Sequence, residues 1–348
     1  MSNIEAIGKY GAIKGSWLAM WLLQMGAEVT GYALPAEDVS LFRQAGLAGR
    51  LTHIEGDIRD LAATEAAMAA ARPDVVFHLA AQPLVRLSYE QPVETYATNV
   101  QGTVHVLDAC RRVPSVKAIV AVTSDKCYEN REWIWPYRES DPMGGYDPYS
   151  SSKGAAELVI SAYRRSYFSA PGGPLVASVR AGNVIGGGDW AADRLIPDIV
   201  RALLDNQAPY IRSPDSVRPW QHVLEPLSGY LQLCQKLAEQ GPRWGEAWNF
   251  GPADGDTRPV SWLADGLAAR WGSGARWSTD GSQQPHEAHL LKLDCSKSRQ
   301  VLGWAPRWDL AQALSAIVQW HRAHDAGTDM RAHSLQQIAQ FESTPTHV

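Results

Sequence analysis

Tyr149 and Lys153 stand four residues apart, and upstream of them the run Thr123-Ser124-Asp125-Lys126 closes an apolar segment. On a helix, residues i and i+4 share a face, so the ammonium would lie beside the phenol and lower its pKa from ~10 toward neutrality. A phenol, an ammonium, a hydroxyl and a carboxylate are thereby offered to one reacting carbon chain. That set suits removal of a proton from a sugar or alcohol hydroxyl, with Tyr149 as the base. Tyrosine and lysine at this spacing also occur on ordinary helix surfaces, so the surroundings decide.

Those surroundings are alternating strands and helices. Short apolar runs at residues 28–34, 51–54, 75–79 and 118–123 alternate with helical patterns at 16–25, 61–71 and 95–111. This is the signature of an α/β fold with a doubly wound, Rossmann-like parallel sheet. Such sheets bind ligands beyond the carboxyl ends of their strands, where Ala80-Ala81-Gln82 and Thr123-Ser124-Asp125 both fall. A long helix is predicted at 149–168 and a buried strand at 175–180. Beyond it the pattern predicts a loop at 186–189, a helix at 195–204, and a loop at 212–220 carrying Arg212 and Arg218. The division expected is a dinucleotide-binding domain over 1–180 with a return segment near 218–250, an interleaved smaller substrate lobe over 181–330, and a tail over 331–348. The tryptophan-rich last third is read as packing that lobe, and the polar tail as loosely held.

Bulk properties narrow the class. The chain has 348 residues, 45% hydrophobic content and a formal net charge of -5, enough for a large core and without the basic block of a nucleic-acid groove or anionic membrane contact. No run is long and apolar enough to span a bilayer, and Ser2-Asn3 follow Met1 where an export signal would be basic and then apolar, so a cytoplasmic protein is expected. Cys110, Cys127, Cys234 and Cys295 are widely spaced, which predicts reduced thiols and no metal site.

Several strings are specific. Asp57-Ile58-Arg59-Asp60, His78-Leu79-Ala80-Ala81-Gln82, Asn99-Val100-Gln101-Gly102-Thr103 and Arg180-Ala181-Gly182-Asn183-Val184, with the tyrosine-lysine pair, resemble the extended short-chain dehydrogenase/reductases. More narrowly, Thr123-Ser124-Asp125-Lys126-Cys127-Tyr128-Glu129-Asn130, Gly186-Gly187-Gly188-Asp189-Trp190, Arg218-Pro219-Trp220-Gln221-His222 and Pro285-His286-Glu287-Ala288-His289 resemble the CDP-glucose 4,6-dehydratases. The resemblance implies NAD as a cofactor regenerated in each turnover, CDP-glucose as substrate, and a homodimer or homotetramer. It implies that Tyr149, supported by Lys153, takes the C4 hydroxyl proton, that Ser124 hydrogen-bonds the C4 oxygen, and that Asp125 protonates the hydroxyl leaving C6. Two roles stay open for Lys126, a C5 base or a cation stabilising the enolate. Ser124 could equally cap the strand end, and Asp125 could simply pair with Lys126. By the same resemblance Gly8, Gly11, Gly15, Asp57, Ile58, Ala80, Ala81, Gln82, Asn99 and Thr123 join Tyr149 and Lys153 around the cofactor. Asn183, Arg194, Arg218, His286 and Glu287 would hold the substrate.

The chain departs from this pattern at its first strand and turn. Gly8, Gly11 and Gly15 are spaced with one residue too many for the expected glycine fingerprint, and Glu5 places a carboxylate in what should be a buried central strand. No acidic residue closes the second strand at Gly31-Tyr32-Ala33-Leu34-Pro35 to anchor a ribose hydroxyl. Three readings are open: a remodelled loop that still holds NAD, an altered start with weak cofactor binding, and a catalytically silent sugar-nucleotide-binding homologue. NDP-sugar 4-epimerisation is a further alternative, because it uses Tyr149 and Lys153 without needing Asp125.

Overall fold

A computed structural model describes the backbone of residues 3–7 and, in full, residues 13–170, 172–272, 274–279 and 290–346. The strands are β1 (Asn3–Ile7), β2 (Glu28–Ala33), β3 (Thr52–Glu55), β4 (Val75–His78), β5 (Ala118–Val122), β6 (Leu175–Ala181), β7 (Asn183–Ile185), β8 (Val217–His222), β9 (Ala247–Phe250) and β10 (Thr257–Pro259). Seven of them form one parallel sheet in the order β3-β2-β1-β4-β5-β6-β9. β1 lies inside it, paired to β2 and β4, with Glu5 in register with Thr30 and Val76. The strand that looked weak is seated by ladders on both of its edges.

Both sheet faces are covered, which is why β4 and β5 read as unbroken apolar runs. Alternate side chains go to opposite sides. Val75, Phe77, Val120 and Val122 pack with α1 (Ile13–Gln24) in one cluster, whereas Val76, Ile119 and Ala121 pack in another with α3 (Leu61–Ala71). Between α1 and α3 stands the short α2 (Leu41–Gln44). The helices α4 (Val85–Glu90), α5 (Pro92–Tyr96) and α6 (Gly102–Arg112) follow β4; a π turn at Ala97–Gln101 joins the last two into one run, longer than the 95–111 expected. α7 (Pro148–Ser166) begins where Pro148 presets the first turn and Asp147 accepts from Ser150 N at 2.9 Å and Ser150 Oγ at 2.6 Å.

After β6 the chain enters a second layer, in which β8 pairs with β7 and β10. Packed with them are α8 (Leu195–Leu204), α10 (Val260–Trp271) and α11 (Leu310–Asp325), while α9 (Leu224–Gln240) returns to the main sheet.

Three expectations need correcting. The predicted loop at 212–220 contains the start of β8, hidden in the sequence because Arg218, Gln221 and His222 are buried polar residues and Pro219 interrupts the pattern. Trp244, Trp248, Trp304, Trp308 and Trp320 pack the main core, not the smaller lobe. The polar tail is held: α12 (Met330–Ser343), capped by Asp329, buries Met330, Ile338 and Phe341 in that same core. Its small apolar stripe among polar residues concealed the docking.

The Gly186–Gly188 turn shows what the aromatic core demands. Trp17 Nε1 donates to Gly187 O at 3.0 Å, and a Cβ on Gly187 would lie 2.1 Å from Trp320 Cγ. Gly187→Ala is therefore expected to cost about 1–3 kcal/mol through overpacking, read as a lower denaturation midpoint in urea. An unchanged midpoint would mean that Trp320 can yield.

Candidate active site

The strand ends of the main sheet and the second layer enclose a cavity of about 360 Å³. β5 delivers Thr123, Ser124, Asp125 and Lys126 to it, α7 delivers Tyr149 and Lys153, and the β6–β7 crossing delivers Asn183. Arg194 and Arg218 reach it from the lobe side. Gly182 has to be glycine here, because a Cβ would stand 2.9 Å from Pro219 Cγ and 3.2 Å from Asp125 Oδ2.

Ser124 is the junction. Its Oγ accepts from Lys126 N at 3.2 Å, capping the short turn Asp125–Cys127, and donates to Asp125 Oδ1 at 3.0 Å. Tyr149 lies beside it, close enough for Ser124 to pull the phenol's pKa down. The capping role is thus realised. Burial raises the Asp125 carboxyl above the usual range, against the pull of Lys126, the Ser124 hydrogen bond, Arg218 and Lys14. A buried carboxyl of this kind keeps its proton more readily, as an acid catalyst requires.

The phenol differs from expectation. Burial pushes Tyr149 up to about 12, an effect Ser124 only reduces, so in the free protein it stays protonated. Desolvation outweighs the pull of Ser124 and of the Arg194 charge, a balance that i,i+4 spacing cannot reveal. Lys153 is itself pulled down to about 8 by burial, against Cys127 and Glu157. Its ammonium makes no hydrogen bond or ion pair among the described residues. Hydroxyl or phosphate oxygens of a ligand in the cavity would offer it acceptors.

Other expected contacts lie elsewhere. Ala81 lines the cavity, but Asp57, Ile58, Ala80, Gln82 and Asn99 do not. Asp57 is paired with Arg59, and Ile58 is in the core. Asn99 is occupied within the protein: Oδ1 accepts from Gln82 N at 2.8 Å, and Nδ2 donates to Gln82 O at 3.1 Å and Ser152 Oγ at 2.9 Å. It shapes the turn after β4 and ties it to α7. Arg194 pairs with Asp189 at 3.1 Å. Gly15 sits in the first turn of α1, whereas Gly8, Gly11, His286 and Glu287 lie outside the described residues. No cluster of metal-ligating side chains occurs among the described residues.

Two residues emerge only in three dimensions. Lys14 lines the cavity, pulled down to about 8 by burial and then by Lys153 and Arg194. Glu157, one turn beyond Lys153, accepts from Thr123 Oγ1 at 2.5 Å, Ser178 Oγ at 2.8 Å and both Arg180 Nε and Nη2 at 2.9 Å. Burial opposes its ionisation, but Arg180 and the two hydroxyls hold it below the usual carboxylate range. It locks the catalytic face of α7 to β5 and β6. The Tyr149–Lys153–Glu157 spacing was the one signal of it in the sequence.

A model of the NAD dependent epimerase/dehydratase family matches residues 7–251, and the chain belongs to that family. It is 56% identical over 338 residues to a CDP-glucose 4,6-dehydratase of Salmonella typhimurium strain LT2, covering 96% of this chain and 94% of that one. It is 31% identical to a dTDP-glucose 4,6-dehydratase of Streptomyces antibioticus, over 79% of this chain and 78% of that one. Among solved structures, a UDP-glucose 4-epimerase of Thermotoga maritima superposes with a TM-score of 0.80 at 21% identity, covering 92% of this chain and 99% of that one. A dTDP-glucose 4,6-dehydratase of Streptomyces venezuelae, solved with NAD bound, gives 0.76 at 26% identity over 94% and 99%. The doubly wound reading of the fold is borne out. Among the described residues no helix is long and apolar enough to cross a membrane.

Proposed function

We propose that this chain is an NAD-dependent hydro-lyase that converts CDP-glucose to CDP-4-keto-6-deoxy-D-glucose and water. The observation that carries this reading is a buried carboxyl, Asp125, beside Tyr149 in one cavity, an acid as well as a base. Epimerisation at C4 needs no such acid, and the 56% identical dehydratase supports the same choice. The Lys153 ammonium, which has no hydrogen bond or ion pair among the described residues, fits a ribose-bearing cofactor, which Ala81, Thr123, Tyr149 and Lys153 would hold. NAD, when bound, supplies the redox chemistry, an acceptor for the C4 hydride that later serves C6.

The side chains do the rest. Tyr149 takes the C4 hydroxyl proton, and the resulting ketone acidifies C5. Asp125 protonates the C6 hydroxyl as it leaves. Lys126 lines the same wall and acts on C5 as base or as stabilising cation. Arg194 and Arg218, with Asn183, grip the diphosphate, for which the guanidinium fork is suited. A cytoplasmic homo-oligomer belongs to this reading, supported by four buried free cysteines and by apolar Val93 and Leu158 exposed on α5 and α7.

Incubation with CDP-glucose and NAD in deuterated water tests the proposal. A 4-keto-6-deoxy product carrying deuterium at C5 is expected. Inversion at C4 without loss of water would sink it, and binding without turnover would favour the silent homologue.

A further inference from the structure

The acid and the base of the site ride on separate pieces of chain. Tyr149 and Lys153 belong to α7, whereas Asp125 and Lys126 belong to the short turn Asp125–Cys127 after β5. Elimination needs the two in register, since a misplacement of about 1 Å can cost about 10²-fold in rate. Ser124 Oγ, which accepts from Lys126 N, caps only the first end of that turn.

Tyr128 closes the other end. Its ring packs with Cys127, Tyr137 and Leu291, and it is 1% exposed. It stacks on Tyr137 with the ring centroids 5.2 Å apart, and the Arg180 guanidinium lies over it at 4.9 Å. The phenol oxygen accepts from Arg180 Nη1 at 2.7 Å and donates to Asn249 Oδ1 at 2.7 Å. Asn249 is itself anchored, its Nδ2 donating to Tyr137 O at 3.0 Å and to Asp294 O at 3.1 Å. The other edge of the same guanidinium grips Glu157 on α7, with Nε and Nη2 each 2.9 Å from a carboxylate oxygen. Because both edges of one rigid, planar group are engaged, the phenol oxygen and Glu157 are held at a fixed separation. Turn and helix also meet directly at Gly154, where a Cβ would stand 3.1 Å from Cys127 O.

We infer that Tyr128 is a positioning residue for the elimination: through Arg180 and Glu157 its hydroxyl registers the Asp125–Lys126 turn against the helix that carries Tyr149 and Lys153. The hydroxyl touches no reacting atom. It acts on the steps that use Asp125 and Lys126, and it leaves C4 oxidation, which uses Tyr149, to α7. This role rests on the dehydratase reading above.

Tyr128→Phe keeps the ring, its stack and its place under Arg180, and removes only the oxygen. Single-turnover mixing with CDP-glucose and NAD follows both halves of the reaction in the absorbance of the reduced nicotinamide, which appears with C4 oxidation and disappears as the 6-deoxy product forms. In Tyr128→Phe its appearance is expected within about two-fold of the parent rate and its disappearance about ten-fold slower or more, with KM for CDP-glucose unchanged. Amide hydrogen exchange of the unliganded protein should quicken about ten-fold at Lys126 and Cys127 and stay as in the parent across residues 149–157. Tyr137→Phe strips a hydroxyl from the same stack, one bonded to Arg131 N and Asn130 and not to Arg180, so it should leave both halves at parent rates. Both halves slowing by the same factor in Tyr128→Phe, or neither changing, would overturn the inference, as would the same split in Tyr137→Phe. Failure of Tyr128→Phe to fold beside a folded Tyr137→Phe would assign the hydroxyl to stability alone and overturn it too. Absence of both reduced nicotinamide and product in the unaltered protein would instead sink the dehydratase reading, while amide exchange still reads the placement of the turn.

Discussion

Replacing Tyr149 by phenylalanine is expected to lower kcat for CDP-glucose by about 10²–10⁴-fold, the range a positioned general base contributes. KM should change little, because the ring stays in place and Asn183, Arg194 and Arg218 are untouched. The fold should survive, since Ser124 keeps its bonds to Asp125 and Lys126 when the phenol oxygen is lost. Burial holds the unliganded phenol near 12, so the group is inert until the site is filled. Steady-state assay of the 4-keto product, with circular dichroism to confirm folding, decides the matter. Activity within a factor of three of the parent would remove Tyr149 from the mechanism.

Asp125→Asn should have an effect of the same order on a different step. The amide keeps the shape and still accepts from Ser124, but it has no proton to give to the C6 hydroxyl. Formation of the 6-deoxy product should fall by about 10²–10⁴-fold. Removal of the C4 and C5 protons should persist, so recovered CDP-glucose incubated in deuterated water should gain deuterium at C5. Mass spectrometry of the residual substrate reads this directly. Loss of both exchange and product would show that Asp125 acts before elimination, and near-normal product would show that the acid lies elsewhere. Elimination by the unaltered enzyme should also persist to higher pH than an exposed aspartate allows. Its raised pKa keeps the acid form populated, and that form is lost only as pH climbs through the raised value.

Legibility in the sequence followed the physics of each feature. The core strands were readable because a sheet covered on both faces requires apolar side chains at every position, as in Ala118–Val122. β8 was not, because its buried polar residues break the apolar pattern: Arg218 at the cavity, Gln221 bonded to Phe250 O and His222 packed between Trp17 and Trp308. The docking of α12 was missed for a related reason. A helix that buries only Met330, Ile338 and Phe341 among its apolar residues carries too faint a stripe to separate from a solvated tail.

At the site, the identities and spacing of Ser124, Asp125, Lys126, Tyr149 and Lys153 were settled by the chain itself, since i,i+4 geometry and the turn after β5 are local. Tertiary structure decided their chemistry. Burial is a property of everything packed around a group, and it places the phenol near 12, draws Lys153 to about 8 and raises Asp125. Only folding brings Glu157 against Thr123 and Arg180, and Lys14 into the cavity from a helix more than a hundred residues away. Sequence can name the groups that exchange protons, but the direction in which the protons move depends on desolvation and on contacts between distant segments.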